Sequence, residues 1–461
     1  MTEIGVNVLP LEGVRIIELG MVFVLPLAIT PLAALGADVI KVESASRPDS
    51  VRSGPLPGNL ARPGAYNHAG NFHLLNRNKR GITLDLATER GRELLLRLVA
   101  VSDVVAENFT PRVLRNLGLD YERLRAVNPR IILLSSSGFG QTGPWRDYRA
   151  YGPTTESVDG LMHLTGYPDG PPTRGGAGGF GVAFTDVAGA YYGTYAILAA
   201  LEYRERTGKG LWLDLSHYEA GVATLPEPMI DYAMNGRVRG RVANRSADRA
   251  PQGAYPCAGD DEWIAISVAS AEQFEALVRE LGLDIPDPAR YASLEARREA
   301  HDALDGLIAA ATRGRDAAAL ERDLQEAGVE AAHLASPRDV WLDPQLEARG
   351  FREIVPAPGY APQIEARAFP RPAWRMSVTP AETRTPAPAF GEHTHEVLAG
   401  LLGLTGADLA ELEREGVIAS SPREGILAAK PLDLDGLLEA HRLREIDPEF
   451  RSRLVDPMHG T

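Results

Sequence analysis

Val14-Arg-Ile-Ile-Glu-Leu19, the apolar stretch Met21–Ala37 and Asp38-Val-Ile-Lys-Val42 follow one another with almost no spacer. The first and last read as short buried strands, β-branched and apolar at their centres. The stretch between them carries Pro26 and Pro31 and reads as a buried helix with a proline in its first turn, running to Leu35. At about 17 residues, ending on a glycine, it is short for a bilayer span. Strand, helix and strand in this order make a βαβ unit. The same alternation continues outward through the first 215 residues. A helix runs from near Thr88 to Val101, Asp103–Ala106 is strand-like, and Ile131–Ser135 is a further β-branched and Leu-rich strand. Ile82–Leu86 has strand character as well. The pattern predicts an α/β fold with a mostly parallel sheet, whose ligands bind at the carboxyl ends of the strands.

From Pro226 the texture changes. An Arg-rich, loop-like stretch (Arg237 to Arg249) precedes the strand Trp263-Ile-Ala-Ile-Ser-Val268. Helical segments follow at Ala271–Leu281, Leu294–Ala311 and Asp316–Ala327, which predicts a smaller α+β unit. Phe351–Pro380 is rich in proline and aromatic residues. His395–Leu402 and Ala407–Glu415 read as amphipathic helices, and the last forty or so residues are charged, with helical character near Leu434–Arg444. A chain of 461 residues, 44% hydrophobic and 24% charged, is too long for one ordinary core and too apolar for a disordered chain. The net charge of −14 speaks against nucleic acid or anionic membranes as partners, while leaving room for a local basic pocket. The single cysteine, Cys257, excludes an intramolecular disulfide and a multi-cysteine metal site. Its turn-like context, without a basic neighbour, predicts a structural thiol. The N-terminus lacks the basic start of a secretory signal, so the cytoplasm is the expected location.

Four segments carry candidate chemistry. Gly176 to Gly181 spells Gly-x-Gly-x-x-Gly, with Glu202 about twenty residues on, but turn formers (Gly166–Arg174) stand where a dinucleotide fingerprint needs a strand. A flexible loop is the better reading. After it, Phe184-Thr-Asp-Val-Ala-Gly-Ala-Tyr-Tyr-Gly193 opens a helix that carries no basic residue and, after Asp186, no charge until Glu202, which predicts burial on most faces. Asp186 at its start either caps the helix or holds an ionised carboxylate at the positive end of the dipole, beside a glycine-rich loop. Asn76-Arg-Asn-Lys-Arg-Gly81 and Glu107-Asn-Phe-Thr-Pro-Arg-Val-Leu-Arg115 could meet phosphates through cations and backbone amides, or be solvated loops. The chain has four lysines, and Lys41 and Lys79 both lie at strand edges of this region. His393-Thr-His395, with only Glu392 and Glu396 near, reads as solvent-facing residues at a helix start, and no metal is expected. Motifs for a serine hydrolase, a P-loop or a zinc protease are missing from the sequence.

In order along the chain these segments resemble the class III CoA-transferases, the group of formyl-CoA transferase, carnitine CoA-transferase and α-methylacyl-CoA racemase. The resemblance is carried by Pro10–Leu19, Leu35–Glu43, Asn78–Leu86, Glu107-Asn-Phe109, Asn128–Ile131 and Ser137–Pro144. It continues in Asp186 with its helix, Arg206–Gly210, Asp343–Phe351 and Pro388–His393. It covers residues 10 to 418 and leaves the tail after Ser420 outside.

The resemblance implies a Rossmann-like large domain with a parallel sheet, a smaller α+β domain, and an interlocked homodimer. The implied division is 1–225 for the N-terminal part of the large domain and 226–340 for the small domain with its flanking linker. Residues 341–420 would return to the large domain, and 421–461 would form a C-terminal extension. The implied function is transfer of CoA between an acyl-CoA donor and a free carboxylic acid, with coenzyme A as substrate and product and no tightly bound cofactor. Asp186 aligns with the family nucleophile, which passes through mixed anhydrides and an aspartyl-CoA thioester. CoA contacts carry over to Asn78, Lys79, Arg80, Asn108, Phe109, Arg149 and Tyr151, with Phe23 and Val24 near the thioester; the Gly175–Gly181 loop is a plausible cover. Some positions depart from the pattern. Phe23 stands where formyl-CoA transferase has glutamine, and the protective Gly-rich run is missing from Asn244–Gly253, which disfavours a formyl-CoA/oxalate reaction and favours a less polar acyl group. Gly152 replaces an acidic residue and Ser44 an arginine. The racemase histidine would fall at Tyr151, so racemisation at Cα is the alternative and a non-catalytic CoA-binding homologue a second one.

Overall fold

The computed structural model describes residues 8–173, 183–362, 364–427 and 429–455. They form two compact units. The first draws on the chain up to Met162, on residues 183–237 and on the segment from Pro344 onward; the second on 163–173 and 238–343.

The first unit is built on six parallel strands: β1 (Arg15–Glu18), β2 (Asp38–Glu43), β3 (Lys79–Thr83), β4 (Val104–Glu107), β5 (Ile132–Ser137) and β6 (Trp212–Ser216). Their order is β3-β2-β1-β4-β5-β6, with every neighbouring pair parallel. Side chains alternate across each strand, so the sheet has two apolar faces. Ile17, Ile40, Val105 and Leu133 share one core with Leu94, Leu95, Leu98 and Val99 of the helix Glu89–Ala100. The returning segment adds Val397 and Leu398 from the helix Thr394–Leu402 to that core. Ile16, Val39, Val104 and Ile132 pack with the helix Val24–Ala34 and with Ala190, Ile197, Ala200 and Leu201.

Two expectations are corrected. Strand β3 starts at Lys79, three residues before the stretch read as strand-like, because the Lys79 ammonium is buried in ion pairs rather than solvated in a loop. The helix Phe184–Thr207 is not buried on most faces. Its stripe of small and aliphatic residues packs inward, while Tyr191, Tyr192 and Tyr195 on the other side are exposed. Strand β6 gave no separate signal in the sequence.

Charged groups are packed against β1 to β3: Glu18 ends β1, Lys41 lies within β2 and Lys79 begins β3. Glu18, Lys41, Asp49 and Lys79 are all buried. Lys41 Nζ lies 3.0 Å from Asp49 and 3.4 Å from Glu18, and Lys79 Nζ lies 2.7 Å from Glu18. Arg52 pairs with Glu43 at 2.7 Å alongside. Burial works against the Lys41 ammonium, but the carboxylates of Asp49 and Glu18 outweigh it and hold its pKa above the ordinary range. At Lys79 burial prevails and brings the pKa down to about 8.

The second unit pairs β7 (Gln252–Pro256), β8 (Trp263–Ser267) and β9 (Glu330–His333) in an antiparallel sheet of that order. Helices Ala271–Leu281, His301–Thr312 and Ala317–Glu326 supply Phe274, Leu277, Leu304, Ile308, Leu320 and Leu324 to its core. Cys257 belongs to that core, and burial raises its thiol pKa.

Removing one member of the buried ion cluster leaves its partners uncompensated. Lys79→Met is expected to destabilise the protein by about 3–5 kcal/mol. Arg206→Ala, which breaks the exposed i,i+4 pair with Glu202, should change stability by less than about 0.5 kcal/mol. Urea unfolding midpoints at one pH measure both.

Candidate functional site

The strand order reverses between β1 and β4, which is where a doubly wound sheet opens a crevice at its carboxyl edge. Two turns leave the sheet there, Gly20–Phe23 after β1 and Asn108–Phe109 after β4. Asn108 ties them together: its Oδ1 accepts from Met21 N at 3.0 Å, and its Nδ2 donates to Met21 O at 2.9 Å. Val22 has φ of 69°, a left-handed conformation that a β-branched residue rarely adopts. It is held because its N–H donates to Asp49 Oδ1 at 3.0 Å, and Asp49 is fixed in the ion cluster. Lys41 Nζ also donates to Gly20 O at 2.8 Å. On the other turn, Phe109 N donates to Glu107 Oε2 at 2.7 Å; burial pushes the Glu107 carboxyl up to about 7.

A cavity of about 400 Å³ opens above this edge. It gathers Phe23, Val24, Asn108, Phe109, Arg149, Tyr151 and Asp186 in one wall-to-wall site, although these residues are spread over more than 160 positions of sequence. Arg112, Arg146 and His217 line it as well. The arginines give the mouth a positive lining in a protein of net negative charge. Asn78, Lys79 and Arg80 are elsewhere, their side chains committed to the protein itself. Asn78 Oδ1 accepts from Arg384 N and Thr385 N, Lys79 lies in the ion cluster, and Arg80 pairs with Asp38 at 2.7 Å.

Asp186 sits in the first turn of the helix Phe184–Thr207. The N-cap is Ala183, and no side chain caps the helix. Asp186 is therefore not spent on capping; among the described residues its carboxylate has neither a hydrogen bond nor an ion pair. It lies directly over Gly152, where a Cβ would come within 2.3 Å of Oδ2. Burial, and then the nearby charge of Glu156, push its pKa up to about 6. His217 packs against Gly189, one turn beyond Asp186, where a Cβ would come within 3.1 Å of the ring. Its Nε2 shares a hydrogen bond with Ser136 Oγ at 2.7 Å, and burial lowers its pKa to about 4, so the imidazole is neutral.

His217, Glu156 and the strained Val22 belong to no motif, and no sequence signal pointed to them. The segment Gly175–Gly181 lies outside the described residues. Glu202 pairs with Arg206 at 2.6 Å. His393 Nδ1 accepts from Gly81 N at 3.2 Å, and His395 meets Glu413 at 2.9 Å. Among the described residues no helix is long and apolar enough to cross a membrane.

The sequence from 11 to 394 matches the family model for CoA-transferase family III. The chain is 36% identical to succinyl-CoA–D-citramalate CoA-transferase of Chloroflexus aurantiacus, over 89% of this chain and 98% of that protein. It is 35% identical to succinate–glutarate CoA-transferase of Agrobacterium fabrum, over 87% and 98%. Acetyl-CoA:oxalate CoA-transferase of Acetobacter aceti is 34% identical, over 74% and 85%. A CaiB/BaiF family protein of Brucella suis has a similar crystal structure, with a TM-score of 0.75 and 34% identity over 85% of this chain and 99% of that one. With a family match across most of its length and relatives matched nearly end to end, the chain belongs to CoA-transferase family III.

Proposed function

We propose that this protein moves CoA from an acyl-CoA donor to a free carboxylic acid, with Asp186 as the covalent nucleophile. The observation that carries the reading is an unpaired carboxylate facing a cavity whose mouth is lined with arginines. An Asp186 oxygen attacks the thioester carbon, the C–S bond breaks, and CoA leaves as thiolate, giving a mixed anhydride. The thiolate attacks the Asp186 carbonyl carbon, the anhydride C–O bond breaks, and the first acid departs. The incoming carboxylate then repeats these steps in reverse and leaves as its CoA ester. Each intermediate keeps an activated acyl group, so no step has to regain that energy. A desolvated carboxylate is the better nucleophile for lack of a cation partner.

The cavity suits the thiol end of CoA, with Phe23 and Val24 near the thioester and Asn108, Phe109, Arg149 and Tyr151 along the pantetheine and phosphate path. A second cavity of about 340 Å³ lies at the ends of β1 to β3 and shares Met21 and Phe109 with the first. Two pockets meeting at one pair of side chains suit an elongated substrate. Asn78, Lys79 and Arg80 then serve by holding β3 and the returning segment. The relatives named for dicarboxylic acids, citramalate and glutarate among them, make a dicarboxylate a reasonable first acceptor to assay. Tyr151 offers a phenol where a racemase would need its second base, which favours transfer over racemisation. The exposed tyrosines of the Asp186 helix, together with Ile230, Tyr232 and Met234 on the helix Pro226–Asn235, support a homodimer.

Incubation with an acyl-CoA and a labelled acid should give labelled acyl-CoA without ATP, and Asp186→Ala should abolish it while CoA still binds. Transfer by Asp186→Ala at the native rate would remove the nucleophile from this reading; deuterium uptake at Cα without acyl exchange would favour the racemase.

Gly152→Ala would meet both the Asp186 carboxylate and, at 2.5 Å, the Ala183 Cβ, so it should shift the start of the Asp186 helix, displace the carboxylate and lower kcat at least about 100-fold. A kcat near native would show that the close packing over Gly152 is not needed.

Asp186 also affects stability. Its folded pKa lies above the unfolded value of about 3.9, so the unfolded chain sheds its proton first and stability falls as pH rises from about 4 to 6. Asp186→Asn should therefore stabilise at pH 7–8 by on the order of 1 kcal/mol, reduced by partial solvent access, and gain nothing near pH 4. Melting temperatures at the two pH values test the sign.

Light scattering should give twice 49.7 kDa, and Tyr195→Glu should shift the mass toward that of one chain.

A further inference from the structure

Glu156 lies on the helix Gly152–Val158, one turn beyond Gly152 and on the same face. Gly152 is the residue on which the Asp186 carboxylate rests. The helix packs against the helices Phe184–Thr207 and His217–Ala223. A hydrogen bond of 2.8 Å between Thr155 Oγ1 and Thr185 Oγ1 locks the first pair, and these are the residues just before Glu156 and Asp186. Glu156 is completely buried, and neither of its carboxyl oxygens has a hydrogen-bond partner among the described residues. Buried carboxylates are ordinarily paired or hydrogen-bonded. This one is neither, so no local structural contact accounts for it.

We infer that Glu156 is a positioning residue for the transfer reaction, a second carboxylate whose repulsion destabilises the free Asp186 carboxylate and so favours its acylated states. The inference rests on Asp186 being the nucleophile. When an Asp186 oxygen bonds to the acyl carbon and the C–S bond breaks, the negative charge leaves on sulfur and Asp186 becomes a neutral acyl group. The repulsion disappears at that step and stays away through anhydride and thioester. Because each turnover starts and ends with the same free carboxylate, Glu156 leaves the overall equilibrium unchanged and alters only how much enzyme is acylated.

The surroundings leave this repulsion uncompensated. Asp159, on the turn after the Glu156 helix, lies against Gly221; burial raises its pKa against a hydrogen bond from Leu161 N, Glu156 adds to the rise, and its Oδ2 is without a partner among the described residues. On the helix His217–Ala223 the facing imidazole, His217, is neutral. Arg112, Arg146 and Arg149 line the cavity, but none forms an ion pair with Asp186 or Glu156 among the described residues. The raised pKa of Asp186 agrees with this arrangement.

The test uses Glu156→Gln, which keeps the shape, and Glu156→Met, which removes the polar group. The free enzymes are titrated by 13C NMR on protein labelled at aspartate Cγ, with the Asp186 signal identified by its loss in Asp186→Asn. The amount of enzyme carrying CoA on Asp186 at fixed donor concentration is read by mass spectrometry. The inference expects the Asp186 midpoint to fall by about one pH unit in both variants. The ratio of acylated to free enzyme should fall about tenfold, and the acid limb of kcat/KM should move down with the midpoint. An unchanged midpoint in both folded variants overturns the inference. A lowered midpoint with an unchanged acylated fraction overturns its part in the reaction. A wild-type enzyme that titrates as expected but never carries CoA on Asp186 overturns instead the reaction on which the inference rests.

Discussion

The turn that leaves β1 is held by buried charge. Three carboxylates and three cations (Glu18, Glu43 and Asp49 with Lys41, Arg52 and Lys79) are packed against β1 to β3. Such a cluster is poor value for stability alone, since desolvation offsets most of the attraction. Its geometric effect is larger: Asp49 and Lys41 grip Val22 N and Gly20 O, and Val22 keeps a backbone conformation that its side chain disfavours. With Asn108 bonded to both backbone groups of Met21, the two turns at the switch point become one rigid wall. Phe23, Val24 and Phe109 are carried by that wall, with Val24 buried and Phe109 packed against the core below it.

Opposite the wall, Asp186 has the reverse treatment. Lys41, Arg52 and Lys79 at the sheet are each matched with a carboxylate, while among the described residues Asp186, Glu156 and Asp159 form no ion pair with a base. The fold separates a neutralised structural cluster from an unneutralised one. A carboxylate kept from side-chain partners is costly, because only the positive end of its helix offsets the loss of water around its charge. The positive lining of Arg112, Arg146 and Arg149 belongs to the same cavity, yet none of the three pairs with Asp186 among the described residues.

Much of this architecture can be read along the chain. The apolar centres of Arg15–Glu18, Asp38–Glu43 and Ile132–Ser137 announce parallel strands, since strands covered on both faces need apolar side chains at consecutive positions. The boundaries failed where charge was buried. Lys79 and Arg80 look like loop residues, yet they begin β3, because their cations are satisfied by Glu18 and Asp38 from strands far away in sequence. The Phe184–Thr207 helix misled in the other direction: lack of charge suggested a buried rod, but its tyrosines face outward and only the small-residue stripe packs. Of the residues expected at the site, those in turns after β1 and β4 and around Asp186 do meet in one cavity, while Asn78 to Arg80 are turned into the protein.

Periodicity, turn chemistry and the ordered series of motifs were enough to set the α/β class, the sheet edge to search and the aspartate to inspect, because each depends on neighbours within a few residues. What the tertiary structure alone decided is the electrostatic character of those groups. Whether Lys79 is a solvated cation or a buried counter-ion, whether Asp186 caps its helix or stands unpaired over Gly152, and whether Glu156 lies beside it all depend on distances between segments far apart in the chain. Coulomb and desolvation energies are set by those distances and by the exclusion of water, and neither is written in local sequence.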